Sequence, residues 1–149
     1  MSASDAERLH TYINAMLNAF LVDEQVFPSA QGRMRYNPLD FQTLRYVDAH
    51  PDCRGNEVAK ALGVAVTTQQ SALDRLIRQG LIERRDHPED GRAKAHRLTG
   101  QGASLRAAIK AQDMANMEFL LESLSPEERE AMLMILGKIH ARISAQVKR

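Results

Sequence analysis

GNEVAKALGVAVTTQQSALDRLIRQGLIERRDHPEDGRAKAHRLT, residues Gly55 to Thr99, changes its hydrophobic period part-way along. Val58, Ala61 and Leu62 fall on one face of a short first helix. Gly63 stands where a helix end accepts a positive φ. Ala72, Leu73, Leu76 and Ile77 mark a second helix, and Gly80 ends it. Leu81 to Asp86 and Arg92 to Leu98 then flank a charged turn, His87-Pro88-Glu89-Asp90-Gly91. Asp-Gly between two such runs is a strong hairpin signal. The expected order is helix, tight turn, helix, hairpin.

Two helices joined by a short glycine-containing turn form a helix-turn-helix. Such a unit serves to project one helix into the DNA major groove, whose width admits it. The hairpin would be a wing beside it. Many helical pairs share the helix-turn-helix pattern alone, but further motifs sharpen it. Leu62-Gly63-Val64, Asp74-Arg75-Leu76, Gly80-Leu81-Ile82, Glu83-Arg84-Arg85, Asp90-Gly91-Arg92 and Leu98-Thr99 stand in that order. With these motifs the stretch resembles the winged helix of the MarR family of transcriptional regulators. The match spans roughly a third of the chain, and the flanking helices fit the architecture the resemblance implies.

The fold class expected is therefore mainly α with a small β-hairpin wing. One MarR-like domain fills 1–149, with the winged helix-turn-helix at 37–99 and dimerisation helices at 1–22 and 100–149. A length of 149 residues suits one domain with a real core. The net charge of +1 argues against coating nucleic acid by bulk charge. Locally the balance differs. Arg75, Arg78, Arg84, Arg85, Arg92, Lys94 and Arg97 outnumber Glu83, Asp86, Glu89 and Asp90, while Met1 to Ala30 is acidic. That asymmetry suits one DNA-facing end. Cys53 is the single cysteine, so no disulfide forms within the chain. No apolar run approaches the ~20 residues of a membrane span, and the N-terminus lacks the pattern of a signal peptide. A cytoplasmic location is expected.

In chain order, Ser2 or Ser4 caps a first helix carrying Leu9, Tyr12, Ile13, Met16, Leu17 and Phe20 to about Val22. Asp23 to Tyr36 has no clean period and reads as a loop. Asn37-Pro38 opens a second helix with Phe41, Leu44 and Val47 inward, and His50-Pro51 stops it. Ala65 occupies the position where the family usually has a capping serine. Thr67 with Gln70 offers a capping box two residues on, which predicts a late start or a weaker cap for the recognition helix. Gln69 falls where the family commonly has an apolar residue. After Gly100-Gln101-Gly102 comes a long helix with Leu105, Ile109, Met114, Met117, Leu120 and Leu121. Ser125-Pro126-Glu127-Glu128 is a capping box that starts a last helix with Met132, Ile135, Leu136, Ile139 and Ile143 at helical spacing. These long helices offer more apolar surface than one winged helix covers. The resemblance implies that they interlock two subunits as a homodimer.

The partner expected is double-stranded DNA with a pseudo-palindromic site. Thr67, Thr68, Gln69, Gln70 and Ser71 are hydrogen-bonding residues at the start of the recognition helix, and Thr68, Gln69, Gln70 and Ser71 are expected at base edges. Arg75 and Arg78 are expected to meet phosphates or acidic neighbours. Arg92 at the wing tip is implied by the resemblance to enter the minor groove, where narrow A·T tracts concentrate negative potential. Asp90 is expected to hold Arg92 or Arg84 in position, and Arg85 and Lys94 to add backbone contacts. The resemblance also implies a small phenolic or other small-molecule effector. A pocket for it would draw on Tyr12, Met16, Phe41 or Tyr46, but such residues at helical spacing are usually core, and effector residues stay unassigned. Arg54 beside Cys53 would lower the thiol pKa, although a structural thiol is the simpler reading. His10, His50, His87, His96 and His140 show no ligand spacing, so no metal or cofactor is expected. Cys53 and His50 form the one nearby nucleophile-base pair, with no phosphate loop or nucleophile elbow, which argues against an enzyme. A winged helix that binds protein, and a DNA binder without an effector, are the alternatives.

Overall fold

The computed structural model describes residues 3–21 and 37–147. Its elements are α1 (Ala3–Leu21), α2 (Pro38–Ala49), α3 (Gly55–Leu62), α4 (Val66–Arg78), β1 (Ile82–Asp86), β2 (Lys94–Leu98), α5 (Gly100–Glu122) and α6 (Pro126–Val147). The fold is mainly α with one antiparallel hairpin, as the sequence predicts. The loop expected at Asp23 to Tyr36 lies outside the described residues. Ser4 lies within α1 rather than before it. The chain divides into two units, Met1–Ala111 and Gln112–Arg149, and α5 runs from one into the other.

In the first unit, α2 starts as expected. Asn37 Oδ1 accepts a hydrogen bond from the Leu39 amide at 3.0 Å, and Pro38 follows at the first helical position. The core gathers Leu44 and Val47 of α2, Val58 of α3, Leu73 and Leu76 of α4, and Leu81 and Ile82 at the base of the wing. One detail of α3 differs from expectation. Ala61 is exposed, and Ala59 is buried in its place. The buried face is centred between Val58, Ala59 and Leu62, and Ala61 lies off that centre at 100° per residue. Gly63 ends the helix with φ of +67°, the conformation its missing side chain allows.

α4 begins at Val66, at once after the turn, so the late start is corrected. The Ala65 carbonyl already accepts from the Gln69 amide at 3.0 Å. Thr67 is thereby inside the helix and forms no capping box with Gln70. The weaker cap is real, since Ala65 offers no side-chain oxygen.

The wing pairs Ile82 with Leu98 and Asp86 with Lys94 at its two ends. Cys53 adds an isolated bridge to His96, which ties the α2–α3 connection to the wing. At the wing's exit, Thr99 Oγ1 donates to the Gly80 carbonyl at 2.5 Å and accepts from the Gly102 amide at 3.0 Å. Gly100 and Gly102 therefore belong to the first turn of α5 and do not precede it. Gly102 has a specific reason to be glycine: a Cβ there would sit 2.0 Å from the Leu81 carbonyl oxygen.

In the second unit α6 opens with the expected capping box. The Ser125 amide donates to Glu128 Oε2 at 2.8 Å, and the Glu128 amide donates to Ser125 Oγ at 3.2 Å. Leu133, Met134, Ile135, Leu136, Ile139 and Ile143 are exposed along this helix, as are Leu9, Tyr12, Ile13, Met16 and Leu17 along α1.

Gly102→Ala is expected to destabilise the protein by about 1–3 kcal/mol, the usual cost of overpacking. Gly100→Ala, where nothing lies within 4 Å of the added carbon, should be neutral or slightly stabilising. Thermal unfolding of both variants checks this, and equal Tm values would contradict the close approach at Leu81.

Candidate nucleic-acid interface

α4 has two faces of different character. Ala72, Leu73 and Leu76 are fully buried, whereas Thr67, Thr68, Gln70, Ser71 and Arg78 are exposed. The hydroxyls of Thr67 and Thr68 have no partner among the described residues. Ser71 Oγ donates to the Thr67 carbonyl at 3.1 Å, which leaves its lone pairs outward. Gln70 Nε2 donates to Asp74 Oδ1 at 3.0 Å.

Gln69 contradicts its expected place among the base-reading residues. Its side chain is 0 % exposed and Nε2 donates to Thr43 Oγ1 at 2.8 Å. The helical turn from Gln70 to Gln69 carries it to the inner face. Its Oε1 is buried without a partner. Arg75 is only partly exposed and turns toward α2. Its Nη2 and Nε donate to the two carboxylate oxygens of Asp40 at 2.8 and 3.3 Å, so it meets an acidic neighbour rather than standing free for phosphate.

On the wing, Arg84 Nη2 lies 2.6 Å from Asp74 Oδ1, and its Nε is 3.4 Å from His96 Nε2. Hydrogen bonds from Arg84 and Gln70 hold the Asp74 carboxyl below the usual carboxylate range. Arg85 pairs with Glu83, and Lys94 Nζ lies 2.6 Å from Asp86. Asp90 holds neither arginine guanidinium predicted for it. Its Oδ1 accepts from the Arg92 backbone amide at 3.1 Å, and its Oδ2 lies 3.5 Å from Arg54 Nη2. Asp90 thus shapes the wing turn, and Arg84 is taken by Asp74. Arg92 is exposed, and its guanidinium has no partner among the described residues. An open cleft of about 360 Å³ between α3, α4 and the wing exposes parts of Arg54, Gln70, Arg84 and Lys94.

Cys53 is buried, and burial together with nearby Glu57 pushes its thiol up to about 11. Arg54 does not activate it, because the guanidinium turns to Asp90. Phe41 and Tyr46 pack against the core, and Tyr46 stacks on His50 with ring centroids 4.2 Å apart. Among the described residues no group of three or more His, Cys, Asp or Glu side chains is placed to hold a metal ion, and no helix is long and apolar enough to cross a membrane.

Asp40, Arg54, Asp74 and His96 are not among the site residues expected from sequence, yet they hold side chains of the exposed face and the wing. Only Asp74 had a local signal, since it stands four residues after Gln70 on the same helix face. The others act through contacts that span distant parts of the chain.

A helix-turn-helix followed by a hairpin at this position defines a winged-helix protein. The family model of the MarR family matches residues 36–93. FabT of Streptococcus pneumoniae, solved in complex with DNA, has the same fold at a TM-score of 0.79 and 24% identity, covering 95% of this chain and 99% of that one. A mutant of S. aureus MepR matches at a TM-score of 0.76 and 26% identity, with 96% and 99% covered. A second MepR mutant, bound to an oligodeoxyribonucleotide, matches at 0.63 and 27%, again with 96% and 99% covered. Over residues 36–93 the chain is similar to the MarR family, and its fold is that of these winged-helix structures.

His96 carries the prediction that this geometry generates. Its Nδ1 faces the Cys53 carbonyl oxygen at 3.1 Å. That oxygen only accepts, so the ring proton sits on Nδ1 and Nε2 is left to accept from Arg84. Burial, ahead of every other cause, holds its pKa below the ordinary value. The unfolded chain takes up this proton near pH ~6.5, and the folded chain resists it. Stability from His96 is therefore complete above the unfolded pKa and is lost as pH falls toward the folded pKa. NMR titration should find the His96 ring protonating below pH ~6.5, with Tm falling over the same range. A His96 ring that titrates above its free value would contradict the assignment.

Proposed function

We propose that the chain binds DNA as a homodimer and reads a pseudo-palindromic site. The observation that carries this reading is the exposed polar face at the start of α4 together with a wing Arg92 that is unpaired among the described residues. Thr67, Thr68, Gln70 and Ser71 supply neutral donors and acceptors at the end of a helix that fits the major groove. Glutamine matches the adenine edge, and threonine methyls match thymine methyls. Arg92 enters the neighbouring minor groove, where it is attracted by negative potential. Arg78, Arg85 and Lys94 lie on the backbone and set register without reading sequence. FabT, solved in complex with DNA, and a MepR mutant, bound to an oligodeoxyribonucleotide, support the reading.

Dimerisation rests on the exposed apolar residues of α1 and α6. A second copy covers them, and a twofold axis then sets two α4 helices about one DNA turn apart, roughly 34 Å. Release by a small-molecule effector completes the reading. Such a ligand acts by binding more tightly to a dimer whose α4 spacing does not fit DNA.

A duplex selected by the protein from a random pool, titrated at several salt concentrations beside a scrambled duplex, tests the reading. The selected duplex should bind far more tightly, with steep salt dependence. Arg92→Ala should weaken it about ten-fold or more, equivalent to ~1.4 kcal/mol. Equal, weak binding to both duplexes would overturn the proposal. For the dimer, light scattering should report the mass of two chains for the parent and a shift toward one chain for Ile139→Glu. A parent with the mass of one chain at working concentrations would contradict the twofold arrangement.

A further inference from the structure

We propose that Asp40 of α2 is a positioning residue that sets how α4 is turned toward DNA. The inference rests on the DNA-reading function proposed above. Asp40 is the one buried carboxylate among the described residues, with its side chain 4% exposed, and both its oxygens are engaged by Arg75. A guanidinium fork on a carboxylate fixes direction as well as distance. A second polar contact joins the same two helices. Thr43 Oγ1 gives its own proton to the Leu39 carbonyl at 2.7 Å and turns a lone pair to Gln69 Nε2 at 2.8 Å.

The two contacts lie at different heights. Gln69 and Arg75 are nearly two turns apart on α4, roughly 9 Å along its axis, while Asp40 and Thr43 are one turn apart on α2. Leucine packing between these helices is non-directional and tolerates a small roll or slide of α4. Two polar contacts at separate heights resist both. Each step of one residue turns a helix by about 100°, so a partial roll carries Gln70 and Ser71 away from the base edges. The ion pair also explains why an arginine on the recognition helix is withheld from phosphate. Asp40 holds it as a strut.

The test uses the duplex selected by the parent and a scrambled duplex, each titrated over a range of salt against the parent, Asp40→Asn, Arg75→Lys and the double variant. Arg75→Lys keeps the charge and loses the fork. With Asp40 as a positioning residue, each single variant weakens binding to the selected duplex about ten-fold. The double variant is no worse than either, the salt slope is unchanged, and binding to the scrambled duplex stays at the parent's level. If Arg75 instead neutralises a phosphate, Arg75→Lys binds as the parent does, and Asp40→Asn, by releasing Arg75, binds equally or more tightly. That result overturns the inference and leaves the DNA reading intact. A parallel loss on both duplexes, the mark of a smaller folded fraction, also overturns it. A parent that prefers neither duplex removes the DNA reading itself, and this inference with it.

Discussion

To read DNA as proposed, α4 has to be held by one face only, and Leu73 and Leu76 meet that constraint. Both are fully buried against α2 and α3, and burying a leucine is worth about 1.5–3 kcal/mol. The opposite face keeps polar side chains that gain nothing from the core and stay in water. The rest of the winged helix serves this arrangement. Gly63 turns the chain sharply enough for α4 to lie across α3. Leu81 and Ile82 anchor the wing to the same core, and Gly102 lets α5 begin directly against the Leu81 carbonyl.

The charges follow a related logic. Most cations around α4 and the wing are paired within the protein: Arg75 with Asp40, Arg84 with Asp74, Arg54 with Asp90, Arg85 with Glu83, Lys94 with Asp86 and Arg97 with Asp52. These pairs differ in kind. The Asp40 pair is largely buried on its acidic side and has a forked geometry, whereas the wing pairs are exposed. Exposed pairs contribute little to stability, so in the proposed complex a DNA phosphate takes over Lys94 or Arg85 at small cost. Arg78 and Arg92 are unpaired among the described residues. The wing is thus a set of cations held in place by weak partners, with one left ready at its tip.

Much of this was readable from the sequence because periodicity and turn chemistry are local. The leucine spacing of α4, the Asn37-Pro38 start, the Ser125 capping box and the Asp90-Gly91 turn each depend on neighbours a few residues away. The errors arose where distant contacts decide. Gln69 has the composition of a base reader, but its partner Thr43 comes from another helix, and one position on a helix separates it from Gln70. Asp90 was matched to the arginines nearest in sequence, while Arg54 reaches it across the fold. For Cys53 the simpler expectation, a structural thiol, agrees with its burial, and the effect expected of adjacent Arg54 is absent because burial and Glu57 raise the thiol pKa. Ala61 falls off the buried face because four apolar residues, two of them alanine, in a helix of two turns leave its inner face poorly defined.

Hydroxyl-radical footprinting on the selected duplex measures most directly whether α4 and the wing act together on DNA. Two protected patches about one helical turn apart (~10 base pairs), flanked by minor-groove protection that disappears in Arg92→Ala, are the expected result. A single patch, or minor-groove protection that persists without Arg92, would contradict the placement of two α4 helices and their wings on one duplex.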